Sequence, residues 1–367
     1  MTIGTILIFL AVLAVLIFVH ELGHFMAARA FGIRVDAFKI GFGPKVFSWK
    51  RGETEYGINW IPFGGYVKIF GENPDEESTT GSDSSRSFVN KPRWQQAIVL
   101  AAGVLMNFIF AWILYTGVFT AGVTAATNGF EQYASLFTNP RIMVSSVLPG
   151  SPAEKAGLMT GDILEGIASS TDATITGFQN AINASEGHPI IVVYTRGKQV
   201  LSNALITPAA GIVEGKYAIG ISMDEVADLR LPFLTAAKEG FFYTIGLIKE
   251  TAVGLYTFIA DAFRGSPNFS EVSGPIGIAG IVGNAATLGF TYLLMVTAII
   301  SINLGVVNLL PFPALDGGRI LFVLIEGVIR RRIPATFTNT VNAIGFALLM
   351  ILMVAVTWKD VAKLIHG

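Results

Sequence analysis

The sequence predicts a multi-pass α-helical membrane protein of about four transmembrane helices, with a membrane-associated β-hairpin region and one inserted α+β domain. Composition is the first reason. Of 367 residues, 52% are hydrophobic and only 14% charged, with a mean hydropathy of +0.60, too apolar for an ordinary soluble chain. The second reason is four long uncharged stretches: Met1–Val19, Ala97–Val123, about Ala285–Leu315 and Ile333–Trp358. Each is about as long as the ~20 residues a helix needs to cross a bilayer, or longer. The third is a polar segment of strand-like texture between the second and third stretches.

The first stretch lacks a basic n-region and an A-x-A-like cleavage site, so it reads as a retained span and not a signal peptide. Orientation follows from Lys and Arg: ten lie in Arg29–Arg93 and four in Arg319–Arg332. The positive-inside rule puts both segments in the cytoplasm, and both termini and about Thr124–Gly283 outside. A net charge of −1 suggests no nucleic-acid partner. With no cysteine, the outer part folds without disulfides, and metal ligands must be His, Asp or Glu.

In chain order, 1–30 is expected to be the first span and 31–93 a cytoplasmic-side loop with membrane-associated strands. The second span covers 94–123, the outer domain 124–228, and a peripheral helix with linker 229–284. The third span covers 285–318, a cytoplasmic loop 319–332, and the fourth span with its tail 333–367. In the first loop, Gly41-Phe42-Gly43-Pro44 reads as a turn between Val35–Ile40 and Lys45–Trp49, and Glu72–Ser87 as a flexible linker. The apolar residues of Leu231–Phe263 recur every 3–4 positions, as in an amphipathic helix on the outer face. A fifth span is the alternative there, at a cost set by Lys238, Glu239, Lys249 and Glu250.

The outer domain shows strand-like runs at Ile142–Val147, Pro189–Tyr194, Val200–Ile206 and Tyr217–Met223, with a short helix near Thr176–Asn183. Its run Pro149-Gly150-Ser151-Pro152-Ala153-Glu154 leads into Gly161-Asp162-Ile163-Leu164, and resembles PDZ domains of bacterial extracytoplasmic proteases. Tyr217, Ile219, Gly220 and Ile221 then resemble the carboxylate-binding loop and first strand of a circularly permuted PDZ. Such an edge captures a peptide as an added strand; packing or steric exclusion is an equal reading.

The chemistry rests on His20-Glu21-Leu22-Gly23-His24. Two His at i and i+4 project from one helix face and can share a metal ion, and Glu21 stands beside the first to activate water. Shuffling this composition yields H-E-x-x-H in about 0.2% of chains. At ~1.5 Å per residue, residue 20 lies about 25 Å below residue 3, still within the span, where ionisable groups are costly without a role. Two His leave a catalytic zinc one protein ligand short. Asp316 is the only acidic residue between Glu271 and Glu326, and is expected to end the third span at the depth of the His pair. A solvated carboxylate at a helix end is its other reading. The N₂O set suits one Zn²⁺ with an open position.

With these motifs and Pro62-Phe63-Gly64-Gly65-Tyr66, Ser273-Gly274-Pro275-Ile276-Gly277 and Asn308–Gly318, nearly the whole chain resembles the site-2 proteases of RseP/RasP type. The resemblance implies an intramembrane zinc endopeptidase of a bacterial inner membrane. Glu21 would be the general base, and His20, His24 and Asp316 the zinc ligands. Asn308, Pro313, Gly41, Phe42, Gly43, Gly64 and Gly65 would contact substrate, and Val35–Trp49 would hold its unwound segment as an added strand. Asn308 has a second reading, as an amide serving backbone groups freed by Pro311 and Pro313. Asn107 fits a family position too, and helix–helix hydrogen bonding explains it equally well. Implied partners are transmembrane-helix substrates already shortened outside (anti-sigma factors or remnant signal peptides), membrane lipid and a PDZ peptide ligand. Relatives can carry two tandem PDZ domains; this chain has room for one. A transporter or a catalytically silent scaffold are the rivals. The first would need ionisable groups along a mid-membrane path, and the second would not need Glu21.

Overall fold

The structure, a computed structural model, describes residues 2–73, 75–128, 131–167, 174–197, 201–265 and 273–366. It divides into two compact units, Met1–Thr116 with Ala237–Gly367, and Gly117–Ala236.

The first helix, α1 (Ile3–Ala30), starts at Thr2, whose hydroxyl accepts the Thr5 N–H at 3.2 Å, satisfying a first-turn donor. It is apolar all round, yet Leu16, Val19, His20, Gly23, His24 and Ala28 are its buried residues. Their 3–4 residue spacing marks a single packed stripe, and both motif histidines lie on it. Next come β1 (Val35–Arg51) and β2 (Thr54–Ile69). Phe38 of β1 meets Phe18 and Phe25 of α1 edge-on at 5.6 and 5.4 Å, which fixes the sheet against that helix.

The pairing corrects two expectations. Gly41-Phe42-Gly43-Pro44 is no hairpin turn: β1 runs through it, bent at Gly41 and Gly43 (φ +84 and +83), and the chain reverses between Arg51 and Thr54. Ala37–Ile40 are paired on both sides, with Glu55–Ile58 and with Gly65–Lys68. This part of β1 therefore has no free edge. Gly65–Ile69, bonded only to β1, forms one border of the sheet. Phe42, Val46, Phe47, Trp49, Ile58, Trp60 and Ile61 are exposed on it.

The expected flexible linker is instead folded. Helix α2 (Glu76–Thr80) begins with a reciprocal capping box, in which Ser78 N–H donates to Asp75 Oδ1 and Asp75 N–H to Ser78 Oγ, both at 2.8 Å. The Asn90 amide donates to the Thr79 and Ser84 carbonyls at 3.0 and 2.9 Å. Local side-chain bonds thus order a segment whose composition is that of a linker. The long helix α3 (Arg93–Ala121) follows.

The second unit holds β3 (Val123–Ala126), β4 (Phe137–Val147), α4 (Pro152–Lys155), β5 (Ile163–Ile167), α5 (Ile175–Ala184), β6 (Ile190–Thr195) and β7 (Ser202–Ile206). It ends with β8 (Ala209–Val213), β9 (Lys216–Ala218) and β10 (Ile221–Leu229). One sheet runs in the order β3-β10-β4-β5-β6-β7, and β8 pairs with β9. Its core joins Val144, Leu164, Phe178, Ile182, Val192, Ile206 and Ile219. The expected single strand Tyr217–Met223 is split, because Gly220 (φ +81) turns the chain between β9 and β10. Val200 of the run expected at Val200–Ile206 lies outside the described residues.

The remaining helices are α6 (Phe233–Phe263), α7 (Pro275–Leu288), α8 (Phe290–Asn308), α9 (Asp316–Ile329) and α10 (Ala335–His366). In place of one span from Ala285 to Gly318, Gly289 (φ +131) separates α7 from α8, and α8 stops at Asn308. Asp316 therefore opens α9, and residues expected as the cytoplasmic loop 319–332 are helical to Ile329. Among the described residues, α1, α3, α8 and α10 are long and apolar enough to cross a membrane. The Ser273-Gly274-Pro275-Ile276-Gly277 run starts α7, where Asp360 Oδ2 of α10 accepts the Gly277 N–H at 2.8 Å. A carboxylate is well placed at a helix N-terminus.

Phe178 is 2% exposed at the centre of the second unit. Phe178→Ala is expected to destabilise that unit by about 3–5 kcal/mol, as for other buried aromatic truncations. Limited proteolysis of the full chain should then cut within Gly117–Ala236 while zinc content stays unchanged.

Candidate active site

Backbone contacts bring the site together. At Gly23 of the His20–His24 turn, a Cβ would lie 2.3 Å from the Ala102 carbonyl oxygen, so only glycine lets α1 and α3 approach this closely. At Gly103 a Cβ would sit 2.3 Å from His24 Nε2 and 2.9 Å from His20 Cε1, so its absence leaves room for both rings. The turn from Leu309 to Leu315 is wound tightly enough to bring Asp316 back beside them. A Cβ on Gly317 would fall 2.2 Å from the Leu310 oxygen, and one on Gly318 2.2 Å from the Phe312 oxygen.

His20 Nε2, His24 Nε2 and Asp316 Oδ2 then converge. The two nitrogens are 3.2 Å apart, and Oδ2 lies 3.1 Å from His20 and 3.4 Å from His24. Side-chain exposures are 10–18%. His24 Nδ1 is 2.8 Å from the Val99 carbonyl, which can only accept, so the ring carries its proton there and Nε2 presents a lone pair. His20 Nδ1 faces the Asn107 amide at 3.1 Å. The atom placed there is Nδ2, while the buried Oδ1 has no hydrogen-bond partner; turning the amide end over satisfies Oδ1, which then accepts from a protonated Nδ1 and leaves Nε2 its lone pair. The Asn107 carbonyl in turn accepts from Ser301 Oγ at 2.8 Å.

A zinc ion fits these donors. Buried Asp316 Oδ2 makes no hydrogen bond despite the nearby nitrogens. Three lone pairs so close repel one another unless a cation lies among them. Four ligands at ~2.1 Å from tetrahedral zinc stand about 3.4 Å apart, close to the separations seen here. His20, His24 and Asp316 are the group of three potential metal ligands that converges among the described residues.

Glu21 lines the same cavity, of about 340 Å³, with Tyr66, Val67, Lys68 and Asp316. Gly65 brings the strand border close, since a Cβ there would be 3.5 Å from Glu21 Cγ. Gly64 accommodates the Phe42 ring, which stacks on Tyr66 at 6.3 Å. Arg319, one turn after Asp316, pairs with Glu72 across this cavity.

None of the expected substrate contacts lines it. Phe42, Gly64 and Gly65 stand beside it, and Gly41 and Gly43 lie on β1 beyond Ile40, the residue paired with Gly65 at the end of the border strand. Asn308 ends α8, and its amide makes no hydrogen bond among the described residues, so it serves no backbone group freed by the prolines. Pro313 packs against Gly345 of α10. In the second unit, Tyr217, Ile219, Gly220 and Ile221 line a cavity of about 590 Å³ together with α5 residues Gln179, Ile182 and Asn183.

Gly103 and the Val99 carbonyl had no signal in the sequence, because a glycine and a backbone oxygen look alike along any apolar span. Asn107→Ala is expected to weaken zinc binding by about 10–100-fold, the usual effect of losing a partner behind a ligand. Gly103→Ala should weaken it at least as much. Chelator competition on purified protein in detergent measures both.

The model of peptidase family M50 matches residues 8–352. A protein of Clostridium perfringens (strain 13 / Type A), named as a candidate zinc metalloprotease, is 40% identical over 347 residues, covering 94% of this chain and 95% of its own. Zinc metalloprotease RasP of Geobacillus kaustophilus is 30% identical over 436 residues, covering 99% of both. RasP of Shouchella clausii is 27% identical, covering 98% of this chain and 99% of its own. The convergent N₂O ligand set and this match across nearly all of the sequence make one statement: the chain belongs to peptidase family M50, the site-2 proteases, and is a zinc metalloendopeptidase.

Proposed function

We propose that this protein cleaves peptide bonds within transmembrane segments of single-pass substrates already shortened outside the membrane, with Glu21 as general base and His20, His24 and Asp316 as zinc ligands. The observation that carries this is the convergence of three acceptor atoms within 3.4 Å, beside Glu21, with both histidines and Glu21 on α1, a helix long and apolar enough to span a bilayer, and Asp316 at the start of α9.

A transmembrane substrate satisfies its own backbone hydrogen bonds as a helix, so it must unwind before its peptide bond is accessible. The free border Gly65–Ile69 lies beside Glu21, while the facing part of β1 is paired on both sides. Strand addition on that border holds an unwound segment with its scissile carbonyl at the ligand cluster. This replaces Val35–Trp49 as the strand that receives substrate. Bound zinc supplies Lewis-acid chemistry, polarising a carbonyl and acidifying water. Glu21 takes the proton of the attacking water and returns it to the leaving amine. The free Asn308 amide would steady the substrate backbone as it leaves the helix.

Residues 1–30 and the other spans fit a bacterial inner membrane with both termini and the second unit outside, from the distribution of Lys and Arg. We read the second unit as a circularly permuted PDZ domain. The cavity beside Tyr217, Ile219, Gly220 and Ile221, and the edge of β10 at Ile221–Asp224 that faces away from β4 before β3 begins to pair, support an added peptide strand there. Anti-sigma factors and remnant signal peptides are substrates of the required form, and α6 would lie on the outer face.

The test is cleavage of a model transmembrane substrate in detergent by wild type and Glu21→Gln. The variant is expected to retain zinc and lose at least about 10²-fold in rate, the usual worth of a general base. Equal cleavage by both, or none by either with zinc bound, would sink the reading.

A further inference from the structure

The turn that delivers Asp316 contains a residue whose conformation its own side chain disfavours. Ala314, two positions before Asp316, has φ +75, in the left-handed region where a Cβ crowds the backbone. Its neighbours Gly317 and Gly318 are required by close approach, and the Leu315 N–H donates to the Phe312 carbonyl at 3.1 Å across Pro313 and Ala314, a turn whose third position favours glycine, not alanine.

A second tie comes from α10. Asn342 Oδ1 accepts the Ala314 N–H at 3.2 Å. Three residues on, Gly345 lets the helix press against the same turn, since a Cβ there would lie 2.6 Å from both Pro313 Cβ and Pro313 O. Gly345 is buried while Ala343, Ile344 and Phe346 around it are exposed. These contacts are conspicuous because α10 is otherwise barely packed: 6% of its span is buried, against 17–33% for the other three. The bond gives the Ala314 N–H a fixed partner and so favours this conformation of the turn.

We propose that Asn342 is a positioning residue for the metal centre. By adding to the turn's own bond, it steadies Ala314 in its left-handed conformation and so fixes the turn that aims Asp316 Oδ2 at His20 and His24. Asn342 touches no ligand atom, and acts only through Ala314. This inference rests on the reading of His20, His24 and Asp316 as the zinc centre.

Cobalt(II) in place of zinc reports ligand geometry by its visible absorption, and chelator competition reports affinity, both on the full chain in detergent. Asn342→Ala is expected to lose about tenfold or more in cobalt affinity, with a weaker or shifted band and an unchanged apo-protein melt. Asn342→Asp keeps the acceptor oxygen and should bind like wild type. Adding Ala314→Gly to Asn342→Ala should restore most of the affinity, because glycine takes a positive φ without the tie. Wild-type affinity in Asn342→Ala, an equal loss in Asn342→Asp, or a loss that Ala314→Gly does not relieve would each overturn the proposal. If wild type itself takes up no cobalt, the zinc-centre reading falls, and this inference falls with it.

Discussion

Three lone pairs converging in a membrane set the terms for the rest of this molecule. His20 Nε2, His24 Nε2 and Asp316 Oδ2 lie within 3.4 Å of one another, and Oδ2 makes no hydrogen bond. In water such groups would be hydrated and harmless. Held between helices away from water they repel unless a proton or a metal cation lies among them. The surrounding structure therefore has two tasks: to force the atoms together, and to fix which lone pairs they present.

Backbone approach performs the first task and hydrogen bonds the second. Gly23 and Gly103 bring α1 against α3 at the level of the histidines, and Gly317 and Gly318 let the turn before α9 fold back on itself. Both are instances of helix packing in membranes through small residues, where the gain is van der Waals contact and not exclusion of water. The Val99 carbonyl and the Asn107 amide then hold the two rings by Nδ1, leaving Nε2 of each free for metal. Opposite these, the border strand of the sheet leaves backbone groups unpaired beside Glu21. The three converging atoms, Glu21 and an unpaired strand edge thus share one cavity.

Much of this was legible in the sequence because it depends on local spacing. The four apolar stretches and the i, i+4 histidines with Glu21 between them follow from helix geometry, and Asp316 stands out as a lone carboxylate, although it opens α9 and does not end a span. What sequence reading missed depends on contacts between distant segments. The bends at Gly41 and Gly43 look like a hairpin turn until the pairing of Ala37–Ile40 on both sides is seen. The linker-like composition of Glu72–Ser87 hides a capping box that folds it. Gly289 is one glycine among 40, and only its φ of +131 shows that it separates two helices. Asn342 lies in the fourth span, 26 residues after Asp316, and no spacing rule links the two.

The central claim is that His20, His24 and Asp316 together hold one zinc ion. Zinc K-edge X-ray absorption on the purified full chain, with metal content measured on the same sample, tests it most directly. The account predicts one zinc per chain, with two imidazoles and oxygen donors at about 2.0–2.1 Å and a total of four ligands. Asp316→Ala should retain the imidazole signal and lose an oxygen. A shell of three or more imidazoles, drawing on His188 or His366, or a first shell unchanged by Asp316→Ala, would contradict it.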